Sequence, residues 1–460
     1  MGLYIARSAL GLLGALCLGL ALTFLFGQAA SGTGGRSVFS PVFGAVDFVA
    51  DVGADVGWLV LPVTALWLLI RRLPSSAAFV AVAAIGSAVL TTAGPALASG
   101  LQPLVGAVIP GTGGAGLFDE GLLGLTVTVG VLLLVFLHPM PPRARVPLVV
   151  AAAVFVAAYG SARVLGGEAG MEAAIGGVLV GISWVGVGAV AFRRWRQANG
   201  ADPGSWLDGL PVTDSAALVS APARDVVLPG GRRAVLVLLG SAAGIGVALT
   251  GAGLIITNLL GRVQELDETV IEWFAGIRND SLTVLATAIG ALGTTSGVVA
   301  VLLVSAPLAL AATRRWAPAI FLLAAVVGET GLYLLAGMVV GRMRPAVDHL
   351  SEGVPPTSSF PSGHVAASLV AYGGVALLLA AWTRTRWRYA AVACVPLIVI
   401  GVALSRMYWG VHYPTDALAS VLYAGVWLAV CWRAFRPDRG SPHRTSTSQN
   451  FRKEKARDRR

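Results

Sequence analysis

The sequence predicts an all-α, multi-pass membrane protein of about twelve spans in two six-helix halves. Three observations predict it. Of the 460 residues, 56% are hydrophobic and only 12% are charged, roughly half the charged fraction of a soluble domain. Apolar runs of about 17 residues or more recur along the chain, each long enough to cross a bilayer as a helix. Basic residues cluster at every second connection between those runs, the arrangement that the positive-inside rule produces. The 58 glycines fit as well, because small residues let membrane helices pack closely.

The runs, in order, are 5–26, 48–70, 75–94, 122–138, 146–164, 172–192, 234–258, 282–312, 316–340, 364–382, 389–405 and 416–433. The first follows Arg7 and precedes Gln28-Ala29-Ala30, a small-residue stretch of the kind seen at signal-peptide cleavage sites; its length favours an uncleaved span. The eighth is too long for one crossing and includes an interfacial piece before Gly293. Lipid-facing backbone must satisfy its own hydrogen bonds, so all are read as helices.

The basic connections hold Arg71-Arg72, Arg143 with Arg145, Arg193-Arg194 with Arg196, Arg232-Arg233, Arg314-Arg315, and Arg384 with Arg386 and Arg388. The alternate connections hold Asp47, Asp51, Asp55, Asp119, Glu120, Glu265, Asp267 and Glu268. One topology satisfies them all: basic connections and both termini in the cytoplasm, acidic ones outside the cell membrane.

Four segments follow. Residues 1–192 form a six-span membrane domain. Residues 193–233, with Ala201-Asp202-Pro203-Gly204, form a polar cytoplasmic linker. Residues 234–436 form a second six-span domain, and 437–460 a basic tail. From Arg433 to Arg460 the chain has ten basic and three acidic residues, including both of its lysines, Lys453 and Lys455. A polar segment without periodicity reads as disordered, and its charge suits anionic headgroups better than nucleic acid. Membrane lipids, not nucleic acid, are the expected partners. The three cysteines, Cys17, Cys394 and Cys431, lie in apolar runs and read as packing residues without disulfides.

Three short segments of the second half carry chemistry. The first is Val340-Gly341-Arg342-Met343-Arg344-Pro345, the second Ser359-Phe360-Pro361-Ser362-Gly363-His364, and the third Ser405-Arg406 with His412 and Asp416. The topology puts all three on the outer side. Arg344 and Arg406 suit bidentate hydrogen bonding to phosphate oxygens. Pro361-Ser362-Gly363 opens a helix, so free amides and the helix dipole would face an anion, and Gly363 permits close approach. Pro414 suits a first helical turn, which puts Asp416 within reach of the His412 ring. A carboxylate so placed fixes the tautomer and frees the other nitrogen to attack, leaving His364 as general acid. Arginines at membrane edges commonly just snorkel to headgroups. Here, however, they run against the positive-inside rule, and two of the chain's five histidines join them.

These residues resemble the motifs of the type-2 phosphatidic acid phosphatase superfamily, the lipid phosphate phosphatases, over about residues 234–436. The family's pattern is Lys-x6-Arg-Pro, Pro-Ser-Gly-His and Ser-Arg-x5-His-x3-Asp. The second part is complete at 361–364, the third at Ser405, Arg406, His412 and Asp416, and the first keeps Arg344-Pro345. The resemblance implies that His412 attacks phosphorus and forms a phosphohistidine, that Asp416 orients it, and that His364 protonates the leaving group. It implies that Arg344, Arg406, Ser362 and Gly363 hold the phosphoryl oxygens, without a metal or other cofactor. Gly337 stands where the family has its lysine, and Arg342 is a substitute donor from the same loop. The implied substrate is a phosphorylated lipid, either an isoprenoid pyrophosphate such as undecaprenyl pyrophosphate or a phosphatidate type. Capture of the intermediate by an alcohol would make a lipid phosphotransferase instead. A non-catalytic transporter or scaffold is the reading from another class.

Glu329 falls mid-span and is expected to be protonated or to pair with a neighbouring helix. The two halves also share an arginine pattern at a fixed offset of 243: Arg71/Arg314, Arg143/Arg386, Arg163/Arg406 and Arg193/Arg436. Such an offset raises internal duplication. The copy would have lost its chemistry, since His364 falls on Gly121, His412 on Ala169 and Asp416 on Ala173. Two six-span bundles would place inner-end arginines alike in any case; Arg163, at an outer end, is the mapped residue this leaves unexplained.

Overall fold

The computed structural model describes residues 57–108, 118–165, 169–200, 209, 218, 226–350 and 358–437. The expected span at 5–26, most of the polar linker and the tail beyond 437 lie outside the described residues. Among the described residues every regular element is helical, as the composition predicts. The chain divides into two compact units, Met1–Ala223 and Arg224–Arg460.

The first unit contains α1 (Val60–Ile70), α2 (Pro74–Val108), α3 (Glu120–Phe136), α4 (Pro142–Leu165) and α5 (Met171–Ala198). Asp119 caps α3, its carboxylate accepting from the Leu122 amide at 2.7 Å, so one of the helix's orphan donors is satisfied. The buried stripe of α3 (Leu122, Leu123, Val127, Val131, Val135) recurs at helical spacing and packs against α5. Between α3, α4 and α5 lies an open apolar crevice of ≈ 980 Å³, lined by Val129, Leu133, Val156 and Leu179 among others.

The second unit contains α6 (Gly231–Leu259), α7 (Gly261–Gly276), α8 (Asp280–Ala291), α9 (Thr295–Thr313), α10 (Trp316–Val340), α11 (Gly363–Trp382), α12 (Trp387–Tyr408) and α13 (Pro414–Phe435). The long run at 282–312 is two helices, α8 and α9, divided at Leu292–Thr294. Thr294 caps the second through the Gly297 amide at 3.2 Å. Gly341 ends α10 at φ 60°, a left-handed C-cap that glycine adopts without steric cost. The motif-bearing loop starts there.

Nine helices among the described residues are long and apolar enough to cross a membrane. Three further apolar stretches are shorter: Gly57–Ile70, Glu120–Phe136 and Asp280–Ala291. Large apolar side chains stay exposed on many of these helices, including Val247 (75%), Val327 (70%) and Leu397 (70%). A soluble monomer rarely exposes apolar surface on this scale; a bilayer covers it.

Candidate active site

One end of the second unit gathers all three motifs. The core beneath them joins four helices: Ile271 of α7, Val365 of α11, Val399, Val402 and Met407 of α12, and Ala417 of α13, with Tyr413. Hydrogen bonds to backbone groups stitch the motif loops together. The Ser359 amide donates to the Arg342 carbonyl at 2.8 Å. Arg344 donates from Nη1 to the Val411 carbonyl at 2.9 Å. The Ser362 amide donates to Ser420 Oγ at 2.8 Å, and that hydroxyl donates to the Asp416 carbonyl at 2.7 Å. These last two bonds fix the start of α11 on α13.

His412 is buried, and its Nδ1 lies 2.7 Å from the Ser359 carbonyl oxygen. A carbonyl only accepts, so Nδ1 carries the hydrogen and Nε2 keeps its lone pair. The Asp416 carboxylate is farther, at 3.8 Å from Nδ1. It is fully buried and accepts from the Tyr413 amide at 2.9 Å, from the Ser359 hydroxyl and from Arg342 Nη1 at 2.6 Å. Asp416 therefore reaches His412 chiefly through Ser359, whose hydroxyl and carbonyl it links.

Arg342 is placed differently from the phosphate donor expected of it. Its Nη1 serves Asp416 and Thr415, its Nη2 serves Asp267 at 2.8 Å, and its guanidinium lies 4.2 Å from the Tyr413 ring centroid. Burial opposes its charge, but Asp416 and Asp267 outweigh burial and hold its pKa above the ordinary value. Asp267 also accepts from the Thr415 amide at 3.2 Å and from the Thr415 hydroxyl. Asp267 and Thr415 belong to this site although the motifs specify neither. Asp267 had two sequence signals, as an acid in an outer connection and as part of the segment ahead of the motifs that the family resemblance covers.

Arg344, Arg406 and His412 all act electrostatically on the His364 ring. Burial lowers the Arg344 pKa, against the pull of Tyr333 and Asp416. Ser362 Oγ and Arg406 Nε are buried polar atoms without a hydrogen-bond partner. Buried donors are ordinarily satisfied, so two such groups beside a helix N-terminus call for an anion. α8 presses close here: a Cβ on Gly290 would lie 2.2 Å from Arg406 Nη2. A Cβ on Gly363 would meet the Tyr333 ring at 3.2 Å. Gly337 faces the loop before Pro361, with the Phe360 carbonyl 3.6 Å from its would-be Cβ. Glu329 is buried away from these groups, accepting from Tyr423 Oη at 2.8 Å.

Comparison with known proteins finds similarities over the second unit. Residues 318–439 match the PAP2 superfamily model. An undecaprenyl-diphosphatase of Sulfolobus acidocaldarius is 34% identical over 119 residues, which is 25% of this chain and 48% of the relative. The chain thus spans about half the length of that relative. A crystal structure titled as the first transmembrane PAP2 type phosphatidylglycerolphosphate phosphatase from Bacillus subtilis matches with 23% identity and a TM-score of 0.38, over 43% of this chain and 98% of that one. The matched segment takes in all three motifs, so the second unit of this membrane protein carries a PAP2-superfamily domain.

Proposed function

We propose that the protein is a membrane lipid phosphatase acting through a phosphohistidine on His412. The carrying observation is the pairing of His412 Nδ1 with the Ser359 carbonyl, which leaves Nε2 as the nucleophile. Nε2 attacks phosphorus, the bond to the leaving oxygen breaks, and His364 supplies that oxygen with a proton. Arg344, Arg406, Ser362 and the amides opening α11 hold the phosphoryl oxygens and stabilise the charge that grows on them. Water then attacks phosphorus, with His364 taking its proton, and frees His412. Arg342 holds Asp416 and Asp267 instead of substrate. The alternating arginine clusters support a site at the outer face of the cell membrane, with both termini cytoplasmic.

The identity to an undecaprenyl-diphosphatase supports an isoprenoid pyrophosphate as substrate, ahead of a phosphatidate. The test is phosphate release by the detergent-purified chain in EDTA, with undecaprenyl pyrophosphate and phosphatidic acid offered in parallel. Release from the pyrophosphate, abolished by His412→Ala, is the expected result. Undiminished release by His412→Ala would overturn the histidine mechanism. A phosphorylated acceptor in place of free phosphate would make the protein a phosphotransferase.

A further inference from the structure

Helix starts of the first unit match those of the second in register. α3 and α11 start at Glu120 and Gly363, and α5 and α13 start at Met171 and Pro414. Each pair is separated by 243. Bundles that merely share inner-end arginines need not share helix starts to the residue.

Side-chain contacts repeat with them. Trp184 donates from Nε1 to the Ala83 carbonyl at 3.1 Å, and Trp427 to the Ala325 carbonyl at 2.8 Å. Gly86 makes room for the first indole and Gly328 for the second, since a Cβ would lie 1.8 and 2.2 Å from the two rings. Phe79 stacks near Phe192 at 5.4 Å between centroids, and Phe321 near Phe435 at 6.4 Å. Gly130 faces Val185 as Gly373 faces Leu428. Arg72 and Arg314 both end a helix at positive φ, 60° and 53°. Residues of α3 to α5 map at 243, and those of α1 and α2 at 242, so one residue was gained or lost between α2 and α3.

The same mapping puts Asp119 on Ser362 and Arg163 on Arg406. Asp119 accepts from the Leu122 amide at 2.7 Å and from Arg163 at 3.1 Å (Nε) and 3.0 Å (Nη2). A helix N-terminus and an arginine thus hold an internal carboxylate where the second unit leaves Ser362 Oγ and Arg406 Nε without partners. We infer that the first unit is a second copy of the phosphatase unit, with the carboxylate of Asp119 standing where the other copy takes phosphate. It performs no phosphoryl transfer, and its polar end is closed to phosphate. The part about the cradle rests on the function proposed above.

The experiment transplants the carboxylate. Ser362→Asp and Ser362→Asn are made in the full chain, and orthovanadate, a phosphate analogue, is titrated in detergent alongside thermal unfolding. Ser362→Asp should keep a melting temperature within about 2 °C of Ser362→Asn, because Arg406 receives the new charge. It should bind orthovanadate about a hundredfold more weakly than Ser362→Asn, because a carboxylate opposes the anion. Equal affinity in the two variants, or a fold that tolerates Asn and rejects Asp, would overturn the inference. Asp119→Asn is the control in the first unit: turnover and orthovanadate binding should stay within about twofold while the melting temperature falls by several degrees. Lost turnover in a folded Asp119→Asn protein would mean a working site there. If the unmodified chain bound no orthovanadate, the cradle reading would fail on its own. The copy would then stand or fall on whether experimental coordinates superpose α2–α5 on α10–α13 in the 242 and 243 registers.

Discussion

His412 Nδ1 is 2.7 Å from the Ser359 carbonyl and 3.8 Å from the Asp416 carboxylate. The nearer group fixes the tautomer, and the farther one fixes the nearer. Asp416→Asn replaces an acceptor of three hydrogen bonds with an amide that brings its own donors into the same pocket. We expect kcat to fall about a hundredfold, with KM changed much less, because positioning of the nucleophile is lost and not substrate contact. Steady-state kinetics on the preferred lipid separate the two. A rise in KM at constant kcat would place Asp416 in substrate binding instead.

The Asp267–Arg342–Asp416 chain is buried, with Arg342 at 5% and Asp267 at 2% exposure. Removing one carboxylate leaves a buried cation short of a partner. Asp267→Ala should destabilise the folded protein by about 3 kcal/mol, read as a lowered unfolding midpoint in detergent. Asp267→Asn, which keeps an acceptor for Arg342 and Thr415, should recover part of that loss. Equal stability of Ala and wild type would mean that water replaces the carboxylate at this position.

Gly337 occupies the position of the family's lysine, and the space beside it is open enough for a side chain. The nearest atoms to a Cβ there are 3.6 and 3.7 Å away, on Phe360 and Ser358. A lysine there would start beside the loop that leads to Ser362. Gly337→Lys should lower KM for a phosphorylated lipid by about tenfold, the scale of one added charge-assisted hydrogen bond. It should also stabilise α10 by about 0.5–1 kcal/mol, since a helix-interior glycine is lost. An unchanged KM with a higher melting temperature would mean the new charge does not reach the substrate.

The all-helical membrane fold was legible because hydropathy and arginine placement act over whole spans, and averaging over about twenty residues suppresses local noise. The break in the run at 282–312 was legible too, since no single crossing needs that length. Helix ends set by local capping were less so: α2 runs on to Val108, well past the apolar stretch expected to end near 94.

At the site, the motifs carried His364, His412, Arg344, Arg406 and Ser362 because chemistry fixes their spacing along the chain. The structure brings these residues to one end of the unit. Asp267 is 75 positions from Arg342 and 148 from Thr415, and nothing local in the sequence marks such a partnership. The diversion of Arg342 from phosphate to carboxylates follows from that distant residue. For the same reason a guanidinium beside a motif arginine reads from sequence as a second phosphate donor.

Gly290 was equally invisible, a glycine among many in an apolar run. In the fold a Cβ at this position would come within 2.2 Å of Arg406 Nη2 and 2.4 Å of Ser405 Oγ. Arg406 Nη2 is the far end of a flexible side chain, so Gly290→Ala can be accommodated by swinging the guanidinium aside and turning Ser405 Oγ off the Ala286 carbonyl, which it meets at 2.7 Å. The helix itself gains slightly from alanine over glycine, by about 1 kcal/mol. The helix gain offsets the lost Ser405 hydrogen bond, about 1 kcal/mol each, so stability should change little, whereas phosphate holding should suffer. We expect KM to rise and kcat/KM to fall by about tenfold to a hundredfold, since a displaced guanidinium forfeits its charge-assisted bonds. Arg406→Ala should give a similar loss, and adding Gly290→Ala to it should cost little more, because the two changes remove the same contact. Additive losses in the double variant would show that Gly290 serves the site by some route other than Arg406.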